Sequence, residues 1–256
     1  MSERRAGEYS GERVSVVTVC RNALPMLKKT LESVGNQSLR SKIEYIVIDG
    51  KSTDGSPEFC REMQEKGEID IFLSEEDSGI YDAMNKGTGL ASGKWIMFMN
   101  AGDVFSSRDV VERLLDYADN FPESGVIYGD VRKQGADGEW EVKRAGAARN
   151  SHRMFFCHQS VMTLTKLQKE YGFDLSHPLS ADFKFFKVLL KKGVEFRHIG
   201  LPVADFDTGG VSNRRRALGL ADNIRVVMES DGFIDRLRFL PHLVPVWLMC
   251  KLRGKG

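Results

Sequence analysis

The sequence predicts an α/β fold, a mostly parallel sheet flanked by helices, with a small antiparallel sub-sheet and a C-terminal helical appendage. Three observations carry that prediction. Short β-branched runs bounded by polar residues alternate with stretches of helical periodicity, as in chains that build parallel sheets through helical crossovers. Turn chemistry between two later runs favours a hairpin. Carboxylates gather where the runs end, the edge at which open α/β sheets place their ligands.

The elements follow in order. Val14–Val19 is the first strand, and Pro25–Gln37 carries apolar residues at helical spacing, with Pro25 suited to a first helical turn. Glu44–Ile48 is a second strand ending in Asp49, and the loop chemistry of Ser52–Ser56 leads into a helix over Pro57–Lys66. Ile69–Leu73 makes a short third strand, a helix follows near Ile80–Ala91, and Lys94–Met99 makes a fourth strand. Asn100-Ala101-Gly102-Asp103 then opens a loop ahead of a helix over Asp109–Phe121, whose onset near Ser106 gives Asp103 a capping role to set against a functional one. Gly125–Asp130 and Trp140–Lys143 read as strands joined through Gly135-Ala136-Asp137-Gly138. Beyond Asn150 the pattern gives a strand at Ser160–Leu164, a helix over Ala181–Lys192, a strand around Glu195–Ile199 and two helices after Asn213. No internal repeat or linker divides the chain, so the expected organisation is a polar tail at 1–13, one domain over 14–212 and the appendage at 213–256.

Composition narrows the function classes. A chain of 256 residues has room for one large α/β domain, and its net charge of +1, with acids and bases interleaved, gives no electrostatic reason to expect nucleic acid. Cys20, Cys60, Cys157 and Cys250 lie far apart, with no metal-ligand spacing, and read as reduced thiols. The first residues are too polar for a signal peptide and no run reaches the roughly 18 apolar residues of a spanning helix, so a cytoplasmic protein is expected. Gly87–Lys94 is glycine-rich but misses the P-loop at Thr88 and Trp95, and it leads from helix to strand, the reverse of a dinucleotide-binding turn. Neither a His-Glu-x-x-His pair nor a nucleophile elbow occurs.

The chemistry therefore rests on Asp49, Asp77, Asp82, Asp103 and Asp182. Each has a structural reading beside the functional one: a turn former at Asp49, a solvated helix face at Asp82, a helix N-terminus that favours negative charge at Asp182.

Taken together, Val14–Asn22, Ile48–Ser56, Ser74–Gly87 and Asn100–Asp103 resemble the inverting nucleotide-sugar glycosyltransferases of family 2, of the bacterial surface-polysaccharide type. The likeness continues through His158-Gln159-Ser160, Ala181-Asp182-Phe183 and Gly209-Gly210-Val211-Ser212. It implies the Rossmann-like GT-A fold and transfer of a sugar from a nucleotide diphosphate, UDP foremost, to a glycan or lipid-linked acceptor. It also implies that Thr18, Cys20, Arg21 and Asn22 border the nucleotide, that Asp49 accepts a hydrogen bond from the base, and that Ser52, Asp77, Tyr81, Asp82, Asn85, Lys86, Asn100, Ala101 and Gly102 line the donor pocket. Asp103 stands for the last carboxylate of the family's D-x-D motif and would hold Mg²⁺ or Mn²⁺, although Asn100, Ala101 and Gly102 replace its acidic neighbours. A hard cation held by one carboxylate, diphosphate oxygens and waters is chemically sound. Asp182 would be the catalytic base, and His158 would touch the diphosphate or the metal, against a structural role as a hydrogen-bond partner.

Arg214, Arg215 and Arg216 suggest either a basic lid or a solvated helix start. In the tail, apolar Phe239–Cys250 is flanked by Arg236, Arg238, Lys251, Arg253 and Lys255, which fits a membrane interface through 236–256, or packing on the core or on a second subunit as a homodimer. A peripheral place on the inner face of the membrane follows from the first of these. The alternative from another class is a non-catalytic protein that binds or senses nucleotide sugars on the same fold.

Overall fold

A computed structural model describes residues 13–134, 138–206 and 216–252. Four parallel strands form the first half: β1 (Val14–Cys20), β2 (Ile43–Asp49), β3 (Ile71–Ser74) and β4 (Trp95–Phe98), side by side in the order β3-β2-β1-β4. The crossovers carry α1 (Leu24–Gly35), α2 (Ser56–Glu65) and α3 (Ile80–Leu90). Successive residues of β1 feed opposite layers. Val14 and Val16 join one core with Leu27, Tyr45 and Trp95, while Val17 and Val19 join the other with Ile46, Met84 and Phe98. Both faces are covered, which is why these strands are apolar throughout.

The sheet continues beyond β4 as β8 (Val161–Leu164), β6 (Val126–Gln134), β9 (Phe196–Phe206) and β5 (Val104–Phe105), with β7 (Trp140–Lys143) paired to the far half of β6. β8 is antiparallel to β4 and β6, β7 is antiparallel to β6, β9 runs parallel to β6, and β5 is antiparallel to β9. Helices α4 (Val110–Asn120), α5 (Thr165–Tyr171) and α6 (Ala181–Lys191) complete this half, and α7 (Arg216–Ser230) and α8 (Phe233–Leu252) follow.

Three elements differ from the sequence expectation. No helix begins near Ser106. Val104–Phe105 is extended instead, because Ser33 Oγ accepts the Phe105 N–H, Thr30 Oγ1 donates to the Asp103 carbonyl, and β9 pairs with the same two residues. The expected cap at Asp103 therefore has no helix to cap. β9 runs on past Ile199 to Phe206, through Gly200 and Pro202, because register shifts against β6 absorb the irregular backbone. Helix α5, seven residues long, lay below what periodicity resolves.

The C-terminal helices are not detached. Phe239 and Leu243 of α8 pack with Val226 and Val227 of α7 on Phe183 of α6. Beneath them Lys187 Nζ meets Asp231 at 2.7 Å with both side chains buried. Burial works to raise the Asp231 carboxyl, and hydrogen bonds from Lys187, Lys191 and Asn150 outweigh it and hold the group below the usual carboxylate range. The expected lid at Arg214 and Arg215, the Gly209–Ser212 match and the hairpin tip at 135–137 lie outside the described residues. Arg216 opens α7 and is exposed. No described helix is long and apolar enough to cross a membrane.

Candidate active site

The C-terminal ends of β1 to β4 share one edge of the sheet, and the order β3-β2-β1-β4 reverses direction between β1 and β4. A crevice forms at such a reversal. The chain crosses it by Ala101 N–H to Val19 O, and by Thr18 Oγ1, which donates to Met99 O at 2.7 Å.

The residues expected at the donor divide into walls and faces. Thr18 is fully buried and also accepts from Tyr45 Oη at 3.0 Å. Asp49 is fully buried as well: Oδ2 accepts from Ser52 N at 3.0 Å and from Ser74 Oγ at 2.6 Å, and Cys20 Sγ lies 3.6 Å from Oδ1. Burial, and after it the Asp49 carboxylate, push the Cys20 thiol far above its ordinary range. Asn85 spends both ends of its amide on the Phe173 backbone, at 2.8 Å each. The structure places Thr18, Cys20, Asp49 and Asn85 in the wall of the crevice. The side chains of Thr18 and Asn85 are bonded within the fold, and Asp49 keeps Oδ1 with no donor nearer than the Cys20 thiol.

What faces outward is Arg21, Asp77, Asp82, Lys86 and the hinge between the β1 and β2 loops. Asn22 and Lys51 adopt left-handed backbone, with φ of 48° and 58°, uncommon outside glycine. Asn22 is held there by its N–H to Ser52 Oγ at 2.7 Å and by Thr53 N–H to its Oδ1 at 2.8 Å. Gly50 lies against the Asp77 carboxylate so closely that a Cβ would overlap Oδ2, with Arg21 Cδ also adjacent. Asp82 accepts from Ser78 N at 2.9 Å, and that bond holds its carboxyl below the usual range, with Lys86 assisting. Lys86 pairs with Glu75 at 2.9 Å and Asp82 at 3.6 Å.

On the other side of the crevice, the starts of α3 and α6 meet. Tyr81 Oη donates to Asp182 Oδ1 at 2.7 Å across 101 residues of sequence, and Phe183 N–H donates to the same oxygen at 2.8 Å. Oδ2 is left toward His158, whose Nδ1 is 3.8 Å away. His158 is sandwiched among aromatic rings, stacked on Phe98 at 5.4 Å and tilted against Phe173 at 5.7 Å. Both of its ring nitrogens are buried without a hydrogen-bond partner. Burial lowers its pKa from 6.5, with Asp182 acting against that shift, so the ring is neutral.

The Asn100–Asp103 turn closes the site from β4. Gly102 takes φ of 105° and donates its N–H to Thr30 Oγ1, Asp103 is almost fully buried, and Asn100 Oδ1 is a buried acceptor without a donor. Among the described residues the one trio of potential metal ligands with converging atoms is Asp174, His177 and Glu229, away from this turn. There Lys184 Nζ already lies 2.6 Å from Asp174 and 2.8 Å from Glu229, a cation in its own right.

The segment that builds this crevice, residues 15–188, matches the family model Glycosyl transferase family 2. The chain belongs to Glycosyl transferase family 2. It is a glycosyltransferase with the GT-A fold. A Mycobacterium tuberculosis glycosyltransferase of uncharacterised role is 32% identical over 227 residues, covering 84% of this chain and 83% of the relative. A Mycobacterium bovis glycosyltransferase of PGL/p-HBAD biosynthesis is 28% identical over 207 residues, covering 78% of each. Among solved structures, Staphylococcus aureus TarS superimposes with a TM-score of 0.64 at 14% identity, covering 86% of this chain and 66% of that one. The Pyrobaculum calidifontis mannosyltransferase PcManGT, solved with GDP-Man and Mn²⁺, gives 0.65 at 20%, with 86% and 65% covered. The chain thus spans just under two thirds of these two crystallised chains, and at such identities the likeness speaks for the fold alone.

Sequence reasoning missed one part of this glycosyltransferase. Lys143, Arg144, Arg149 and Arg153 line a common cavity beside Cys157. The signal was available, since no Asp or Glu stands between Glu141 and Glu170.

Proposed function

We propose that this chain transfers a sugar from a nucleoside diphosphate sugar to a glycan or lipid-linked hydroxyl with inversion, and that Asp182 is the base. The observation that carries the reading is the state of the Asp182 carboxylate. Oδ1 is fixed by Tyr81 and Phe183, and Oδ2 has no donor among the described residues. A carboxylate with one oxygen anchored and the other open is oriented to take a proton.

In the reaction, Asp182 Oδ2 takes the proton of the acceptor hydroxyl as that oxygen attacks the anomeric carbon. The bond from that carbon to the diphosphate breaks on the opposite face, and its electron pair leaves with the diphosphate. His158, neutral in its aromatic sandwich, offers one N–H and one lone pair within the same recess. Hydrogen bonds of this kind are often long until substrate is bound, so 3.8 Å to Asp182 is compatible with the role. Asp77, Arg21 and the Asn22–Ser52 hinge border the nucleotide. Solved neighbours of this fold hold UDP or UDP-GlcNAc in one case and GDP-Man in another, so the donor is taken as a nucleoside diphosphate sugar, with UDP as the nucleotide that the family resemblance puts first.

The donor set at the β4 turn fits a hard divalent cation. Asp103 supplies a carboxylate and Asn100 Oδ1 an unclaimed oxygen, the ligand types Mg²⁺ and Mn²⁺ prefer. When bound, the cation would neutralise charge developing on the departing diphosphate.

Helix α8 supports a place at an anionic membrane surface. Phe233, Ile234 and Leu237 are exposed in its first turns beside Arg236, and Leu248, Met249 and Leu252 are exposed at its end beside Lys251. Its other face packs on the core, which leaves these exposed side chains available to a membrane surface.

Asp182→Asn tests the proposal. Transfer falls by more than about 10³-fold, as for loss of a general base, while UDP affinity measured by calorimetry with Mn²⁺ stays within about twofold. Transfer at near the wild-type rate removes Asp182 from the role. Wild-type protein that binds UDP-sugar but neither transfers nor slowly hydrolyses it favours the sensing alternative.

A further inference from the structure

A cavity of about 330 Å³ opens between the β6–β7 pair and the extended segment that follows β7. This is at the low end of the roughly 300–1,000 Å³ of small-molecule sites. Gly129 and Val131 of β6 form part of its lining, and Lys143, Arg144, Arg149 and Arg153 project around it. None of its lining residues is acidic, and among the described residues no ion pair ties any of the four cations to a carboxylate. The carboxylate behind the wall, Asp130, is engaged by Ala145 N–H and His198, so four cations face at most one negative charge; they repel one another on balance, and a bound anion relieves that repulsion. Three of them are arginines, whose planar forks match phosphate oxygens in pairs.

The cavity adjoins the reaction centre. Cys157, part of its lining, directly precedes His158, and its sulfur lies in the field of Asp103 and Asp182 as well as of Lys143 and Lys133. Its wall is also held in place. Arg149, Ser151 and Arg153 line the cavity, while Asn150 bonds Asp231 and Asp235, and His152 stacks on His242 of α8 at 5.1 Å. Arg149 and Arg153 therefore stand on a segment tied to α8, the helix whose Phe233, Ile234 and Leu237 are exposed.

We propose that this cavity receives a phosphate or diphosphate group of the acceptor, so that the acceptor is a phosphoryl-linked molecule whose hydroxyl reaches Asp182 past Cys157. The inference rests on the reading of Asp182 as the base and adds the class of acceptor to it. A pocket this small holds a phosphoryl group and about one sugar ring, with the remaining acceptor outside.

Calorimetric titration with geranyl diphosphate and with inorganic pyrophosphate tests it, in EDTA so that no metal at Asp103 captures the probe. The wild type binds, and the double variant Arg149→Gln/Arg153→Gln binds roughly 10-fold or more weakly, the effect of removing charge-assisted hydrogen bonds, while UDP affinity with Mn²⁺ changes less than about twofold. Both arginines are exposed, and a thermal melt equal to wild type checks that the fold survives. Because Lys143 and Arg144 stand on a different element, Lys143→Gln/Arg144→Gln gives an independent second variant. Geranyl diphosphate binding more tightly than pyrophosphate supports a lipid-linked acceptor, and equal binding supports a phosphorylated acceptor without the lipid. Unchanged affinity in both variants overturns the proposal, as does absence of binding to the wild type at millimolar probe. So does parallel loss of UDP, which would assign the cavity to the donor. These titrations need no turnover, and Asp182→Asn binds both probes as the wild type does. Failure here therefore leaves the base assignment standing, and failure of the base assignment shows only in the transfer assay.

Discussion

Replacing His158 with phenylalanine separates what the ring does for the fold from what it does in the reaction. The imidazole stacks on Phe98 and tilts against Phe173 and Phe186, contacts that a phenyl ring keeps. Its two nitrogens are buried without partners, and an unsatisfied buried polar group costs about 1–3 kcal/mol. Against that gain stands the slightly larger ring, for which overpacking costs about 1–3 kcal/mol where the site cannot adjust. The balance is a variant as stable as wild type or more so by about 1 kcal/mol, which is about 2–4 °C in Tm at this size. Acid sensitivity changes in a defined direction. Burial depresses the His158 pKa below 6.5, so the unfolded chain binds the proton first, and the wild type loses stability as pH falls below about 6.5 by up to about 1.4 kcal/mol per unit. His158→Phe removes that contribution, so its melting temperature falls less between pH 7 and pH 5. Transfer, in contrast, drops about 10²-fold, as when one polar group facing developing charge is removed. Thermal melts at several pH values beside initial-rate transfer assays read both quantities. A variant that melts more than about 4 °C lower yet transfers at the wild-type rate per folded molecule refutes the reasoning, because His158 would then be a structural partner.

Two further predictions follow from contacts described above. Gly50→Ala places a methyl group where the Asp77 carboxylate lies, and the Gly50 backbone itself accommodates alanine, so KM for the nucleotide sugar rises roughly 10-fold with kcat nearly unchanged. Steady-state kinetics that show a loss of kcat alone would remove Asp77 from donor binding. Phe233→Ser/Ile234→Ser/Leu237→Ser abolishes flotation with anionic liposomes and leaves the melting temperature within about 2 °C, since all three side chains are exposed. Deleting the tail is the poorer test because it also strips Phe239 and Leu243 from the core.

How much of this was legible in the sequence depended on the range of the interaction. Strands β1 to β4 and helices α1 to α3 were read because β-branched runs and helical spacing are local, and Asp103 and Asp182 were placed because they stand at element ends. β5 escaped, since two residues carry no period and their extension depends on α1 and β9 on either side. Asp49 stands where the family resemblance implies a contact to the base, and its Oδ2 is held by Ser52 and Ser74; nothing in its own segment announces a donor 25 residues away in β3.

The sequence by itself determined the family, the α/β order and the two carboxylates at element ends, because motif spacing and apolar patterning are written along the chain. Only the tertiary structure decided which groups are spent on the fold and which remain for a ligand. It joined Tyr81 to Asp182, enclosed Asp49, left the nitrogens of His158 unpaired and drew four cations around one cavity. The physical reason is that a polar atom is satisfied by whatever packing brings within about 3 Å of it, and that partner stands as readily a hundred residues away as three.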